Sequence, residues 1–249
     1  MGTFHYGVHL SDYTKSQTEN IIQLVKSVPY FASEIGEEAV SNLDHFVKAE
    51  KEIQERSINS DINIDKKTEN FLYGLGLPKD LLTKFSDSEL VDIFVLLAFK
   101  KSDETLFRFT QLDVELTKIA NNNNKVIVML DEEDRDERIQ EFPRPSINSI
   151  AAECSYDVSH LRLLTAKEIN IFLTGNIDFS KLDITSDNPE DSYLLVERNK
   201  VWLNKIINLH NQGGAFVAVG YSHLDYDIGV LSLLKNQGSK IFPIQITNH

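Results

Sequence analysis

Cysteine is almost missing from this chain. Cys154 stands alone among 249 residues, so no internal disulfide can form and cysteine usage gives no reading of the redox compartment. Apolar runs of bilayer-spanning length are missing too. So is any basic excess: the formal net charge is −13 and the isoelectric point about 5.0, which argues against nucleic acid as a partner, because phosphate binding needs a basic face. Beyond the run Asn121–Asn124 there is no repeat and no low-complexity tract. What is present is ordinary for a soluble globular protein, with 41% hydrophobic and 25% charged residues. The length suits one large α/β domain or two small ones.

The most informative stretch lies near the end. Ala215-Phe216-Val217-Ala218-Val219 sits between the Gly213-Gly214 turn and Gly220. A short apolar run bounded by glycines reads as a strand buried on both faces. His223 follows Gly220 by three residues, just past the carboxyl end of that strand, where open α/β sheets place their chemistry. Gly2-Thr3-Phe4-His5 repeats the Gly-x-x-His spacing at the other end of the chain. Two such elements could bring two imidazoles to one rim of one sheet. Only Met1 precedes the first of them, although a strand should lead into it, so the expectation is that the native protein carries further residues upstream.

Between these ends the pattern alternates helix and strand. Ser16–Ser27 reads as an amphipathic helix stopped by Pro29. Tyr30–Gly36 reads as a short strand. By position alone, Glu34 falls just past that strand in solvent; the alternative is a buried carboxylate, which requires a partner. Glu37–Phe109 reads as a helical insertion, with a capped helix start at Ser86-Asp87-Ser88-Glu89. Leu112–Ala120 reads as a helix ended by the asparagines. Lys125–Leu130 is the clearest strand by composition, and it is expected at the centre of the sheet. The acidic run Asp131–Glu141 reads as a solvated face. Asp191–Leu209 reads as one amphipathic helix that places Arg198 and Trp202 on one face, with Trp202 as core packing. Asp227–Asn236 reads as a helix, and Ile241–Ile244 as a last, edge strand. Asp113 reads as a helix-start carboxylate. His9, His45, His160, His210 and His249 read as surface residues.

Several of these motifs together resemble a known family. Glu197-Arg198-Asn199 with Trp202, then Phe216-Val217-Ala218-Val219-Gly220-x-x-His223-Leu224, then Gly229-Val230-Leu231-x-x-Leu234-x-x-x-Gly238, looks like the carboxyl-terminal signature of the TraB/GumN/TIKI family. The opening Gly2-Thr3-x-His5 resembles that family's first Gly-x-x-His, Glu34 stands where the family closes its second strand, and Leu112-Asp113-x-Glu115-Leu116 resembles its central helix. Where the family commonly has Leu-Glu-Thr and a Gln after its central strand, this chain has Leu130-Asp131-Glu132, so no role carries over to that acidic stretch. The resemblance implies a single α/β domain over 1–249. Its mixed, mostly parallel central sheet would be flanked by helices, with a helical insertion at about 37–109, akin to the erythromycin-esterase and ChaN-like folds. By similarity to TIKI proteins it implies a divalent-metal-dependent peptidase.

Two neutral imidazoles and a carboxylate are a suitable ligand set for a hydrolytic metal that keeps a water position open. His5, Glu34 and His223 supply that set for Mn²⁺, Co²⁺ or Zn²⁺, and a peptide or protein is the expected substrate. Arg198, always protonated, cannot be a ligand; it is expected to stabilise an oxyanion or a substrate carboxylate. A metal-independent alternative uses His5 as general base and Glu34 as its orienting partner, with His223 and Arg198 stabilising charge. A third reading is a non-catalytic protein that sequesters a peptide.

Overall fold

A computed structural model of the chain describes residues 1–3, 8–34, 55, 63–99, 112–131, 145–175, 192–224 and 227–244. His5, most of the 37–56 segment and the acidic run beyond Asp131 lie outside the described residues. The chain divides into two compact units: residues 1–40, 111–142 and 175–249 form one, and residues 41–110 and 143–174 form the other.

The first unit is built on a parallel sheet. Its strands are β1 (Gly2–Thr3), β2 (Tyr30–Ser33), β3 (Val126–Met129) and β4 (Ala215–Gly220), in the order β1-β4-β2-β3 among the described residues. All three pairings are parallel. The α/β sheet inferred from the sequence is therefore present, with two differences. β3 is not central: it pairs only with β2 among the described residues, and its Val126 and Met129 are 56% and 39% exposed. Ile241–Ile244 forms no strand, and Phe242 and Ile244 are exposed.

Alternation along β2 and β4 gives the sheet two apolar faces. On one, Ala32 and Val219 pack with Leu130 against Trp202 and Leu209 of α7 (Arg198–Asn211) and Val230 of α8 (Val230–Asn236). On the other, the Phe31 and Phe216 rings stack at 5.9 Å. Among the described residues its other α-helices are α1 (Lys15–Lys26) and α4 (Leu112–Asn122). α1 begins in a reciprocal capping box between Thr14 and Gln17. The turn into β3 runs through Asn124 at φ 54°, a left-handed residue that asparagine tolerates.

Glycine eases one close approach on the path to the site. A Cβ on Gly2 would stand 2.9 Å from Leu224 Cδ1 and 3.3 Å from Tyr221 Cα. A side chain there would displace the end of Leu224 and ask the turn after β4 to give by a few tenths of an ångström.

The second unit is helical among its described residues: α2 (Lys66–Leu75), α3 (Asp87–Phe99), α5 (Ile147–Glu153) and α6 (Val158–Thr174). Ser86 and Glu89 cap α3 reciprocally, with Ser86 N donating to Glu89 Oε2 at 2.8 Å and Glu89 N to Ser86 Oγ at 3.3 Å. Phe71, Leu72, Leu75, Leu90, Phe94, Leu97 and Ile147 form its core. Among the described residues, no helix of either unit is long and apolar enough to cross a membrane.

Candidate active site

Parallel strands put their carboxyl ends along one edge, the usual site of chemistry in such sheets. Register decides which residues come level there. Ser33 is opposite both Met129 and Ala218, so the chain leaves β2 at Glu34, β3 at Leu130-Asp131 and β4 at Gly220, all at similar height. From Gly220 one 3₁₀ turn, Tyr221–His223, delivers His223. A fourth element brings the cation: Ser192–Glu197 winds as a π-helix, and Arg198 is the first residue of the α-helix that follows. π turns of this kind cluster at functional sites.

Glu34, Asp131, Arg198 and His223 are all buried, none more than 8% exposed. The solvent position expected for Glu34 is thus corrected: it lies just past the strand, but inside the protein and paired. Arg198 is the hub. Its Nε donates to Asp131 Oδ1 at 2.9 Å and its Nη2 to Asp131 Oδ2 at 2.9 Å, a bidentate fork. Nη2 also donates to Glu34 Oε2 at 2.6 Å, and Nη1 donates to Leu194 O at 3.1 Å and faces His223 Nε2 at 3.3 Å. A guanidinium has five N–H groups, and these contacts engage them all. The same guanidinium lies over the Trp202 ring at 4.6 Å. Burial works against its charge, but its hydrogen bonds to Asp131 and Glu34 and the charges of both more than offset this, and its pKa lies above the ordinary arginine value.

The second Glu34 oxygen accepts Gly220 N–H at 2.5 Å. His223 is oriented by Asn199. Asn199 Nδ2 donates to Ile228 O at 2.9 Å, which leaves Oδ1 as the acceptor for His223 Nδ1 at 2.7 Å. The imidazole proton therefore sits on Nδ1, and the Nε2 lone pair faces Arg198. The His223 ring also packs on Trp202, centroids 4.4 Å apart. Among the described residues, two carboxylates thus face one guanidinium beside this imidazole.

Of the residues proposed from sequence, Glu34, Arg198 and His223 are thus brought together, and His5 lies outside the described residues. Sequence reasoning missed Asp131. The signal was available, because Asp131 follows β3 as Glu34 follows β2, but it opens an acidic run and was read with it as a solvated face. Asn199 and Trp202 were also underread. They share the first turn of α7 with Arg198, and Trp202 is core and site wall at once, its Nε1 donating to Asp131 Oδ1 at 3.0 Å. On the next turn, Lys205 Nζ donates to the carbonyls of Leu130 at 2.7 Å and Asp131 at 3.2 Å, pinning the backbone that carries Asp131. His9 is corrected as well: it is buried, with Nδ1 4.0 Å from Glu115 Oε1. Asp113 occupies the first turn of α4, as expected, and is buried.

The described donors do not fit a divalent ion in this arrangement. Such an ion would need the one lone pair of His223 Nε2, which faces Arg198, and would have to reach Glu34 Oε2 beside the Nη2 that already bonds it. Among the described residues, no group of three or more His, Cys, Asp or Glu could hold a metal ion.

The role of Asn199 can be isolated. Asn199→Asp is expected to shift the pH profile of kcat/KM for any reaction that uses His223 toward higher pH, because a carboxylate facing Nδ1–H favours the imidazolium. An unmoved profile with only a lower Tm would assign Asn199 to packing instead.

The family model for the TraB/PrgY/gumN family matches residues 63–243. No curated protein and no solved structure matches the chain.

Proposed function

Since the chain belongs to the TraB/PrgY/gumN family, we propose that it is a hydrolase of peptide or ester bonds, with a peptide or protein as substrate, working at the carboxyl edge of its sheet. The observation that supports this best is the state of His223: a buried, neutral imidazole with its proton held on Nδ1 by Asn199 and its Nε2 lone pair turned toward Arg198 and Glu34. A proton taken from an attacking water onto Nε2 would be stabilised by Glu34, whose Oε2 stands 4.0 Å away. The same event would break the hydrogen bond between His223 Nε2 and Arg198. Nη1 then has an N–H to offer where charge develops on the substrate oxygen. Glu34 and Asp131 hold the fork in place throughout. In this metal-independent reading His5 is the further candidate base. The metal-dependent peptidase reading rests on the resemblance to TIKI proteins, and the described donors favour it less, because Arg198 already engages both Glu34 Oε2 and the one lone pair of His223 Nε2.

The deciding experiment measures turnover of peptides and of simple esters by the purified protein, with and without chelator, beside its metal content. The expected result is chelator-resistant turnover. Stoichiometric metal with chelator-sensitive turnover would support the metallopeptidase, and tight peptide binding without product would support a sequestering protein.

A further inference from the structure

We infer that the Arg198 guanidinium is the resident cation of this site, and that it and a divalent metal ion exclude one another there. The inference rests on the geometry around Arg198 and stands apart from the hydrolytic reading. Glu34 Oε2 and His223 Nε2 lie 4.0 Å apart, and an ion bonded to both must sit between them at about 2.0–2.2 Å from each. Arg198 approaches the same two atoms, with Nη2 at 2.6 Å from the oxygen and Nη1 at 3.3 Å from the nitrogen. One fork therefore takes the single lone pair of Nε2 and one of those on Oε2, at the two atoms an ion would have to bridge.

Charge adds to geometry. Lysine or histidine could lose a proton to admit a metal, but arginine cannot. Its bidentate grip on Asp131 and its contact with the Trp202 face keep it from swinging aside. An ion arriving at Glu34 and His223 would meet a fixed positive charge in a buried site, where repulsion is poorly screened.

Removing the fork should reverse the preference. Without Arg198, Glu34 Oε2 and His223 Nε2 are relieved of the fork, and the imidazole tautomer is already set by Asn199. These are two donors of the kinds a first-row dication takes, with water able to complete its shell. Arg198→Ala should then bind such an ion more tightly than the native protein does.

The test is calorimetric titration of Zn²⁺ and of Mn²⁺ into metal-stripped protein. Arg198→Ala is expected to take up one equivalent of ion at least tenfold more tightly than the native protein, and the added substitution His223→Ala should abolish that gain. Equal or weaker binding by Arg198→Ala would overturn the inference. Should Arg198→Ala not fold, thermal shift of the native protein decides: no rise in Tm with either ion at this site supports mutual exclusion. A rise that His223→Ala abolishes overturns it, and either result leaves the hydrolase proposal to its own assay.

Discussion

His223→Ala is expected to lower kcat/KM for hydrolysis by about 10²–10⁴, the usual contribution of a positioned acid–base group. The argument starts from the proton inventory. Asn199 Nδ2 is committed to Ile228 O, so Oδ1 must accept from His223 Nδ1, and Nε2 must carry the lone pair. No other imidazole among the described residues faces Glu34 and Arg198. Alanine removes the acceptor and leaves Arg198 Nη1 and Asn199 Oδ1 each short of a partner. Two buried groups left unsatisfied cost about 1–3 kcal/mol each, and the ring is also lost from Trp202. Part of the protein's stability is therefore lost as well, and activity must be read below the variant's own Tm. His223→Gln serves as the control, since its amide can still meet one partner but is not a base. Turnover by folded His223→Gln within threefold of the native protein would sink the assignment.

Arg198→Met is expected to destabilise the protein by about 3–5 kcal/mol, the cost of removing one partner from a buried ion pair. Methionine keeps an apolar stem against Trp202, so little of the loss comes from packing. The loss comes from Glu34 and Asp131, which remain 8% and 5% exposed with their shared cation gone. For a chain of this size the drop in Tm is roughly 10 °C. Chemical denaturation and thermal scanning should agree on it. A change under about 1 kcal/mol would mean that water or a rearranged side chain already compensates these carboxylates, and the hub role of Arg198 would fall.

The site was legible from sequence where a motif tied a residue type to a strand end. Gly220-x-x-His223 and the Arg198-Asn199-x-x-Trp202 turn carry their own geometry, because three residues past a strand, or one turn of helix, leave little freedom. Asp131 was hidden by its neighbours: a carboxylate at the head of an acidic run looks like the rest of the run, and only the fork of Arg198 separates it. Glu34 was ambiguous for a related reason. Whether a carboxylate one residue past a strand faces water or the interior depends on a guanidinium 164 positions away.

By itself the sequence determined the local elements. Alternation and apolar runs mark β2, β3 and β4, an amphipathic face marks α1, capping residues mark α3, and left-handed asparagine marks the turn before β3, because these depend on residues close in the chain. Tertiary structure alone decided neighbours. β3 has the most strand-like composition yet stands at the edge of the described sheet, since composition reports a taste for extended backbone and not the number of partners. Ile241–Ile244 shares that composition but pairs with nothing among the described residues, and remains exposed. The ion network is the clearest case. Glu34, Asp131, Arg198 and His223 come from four separate elements, and the free energy of any one of them in the interior exists only once the other three are placed.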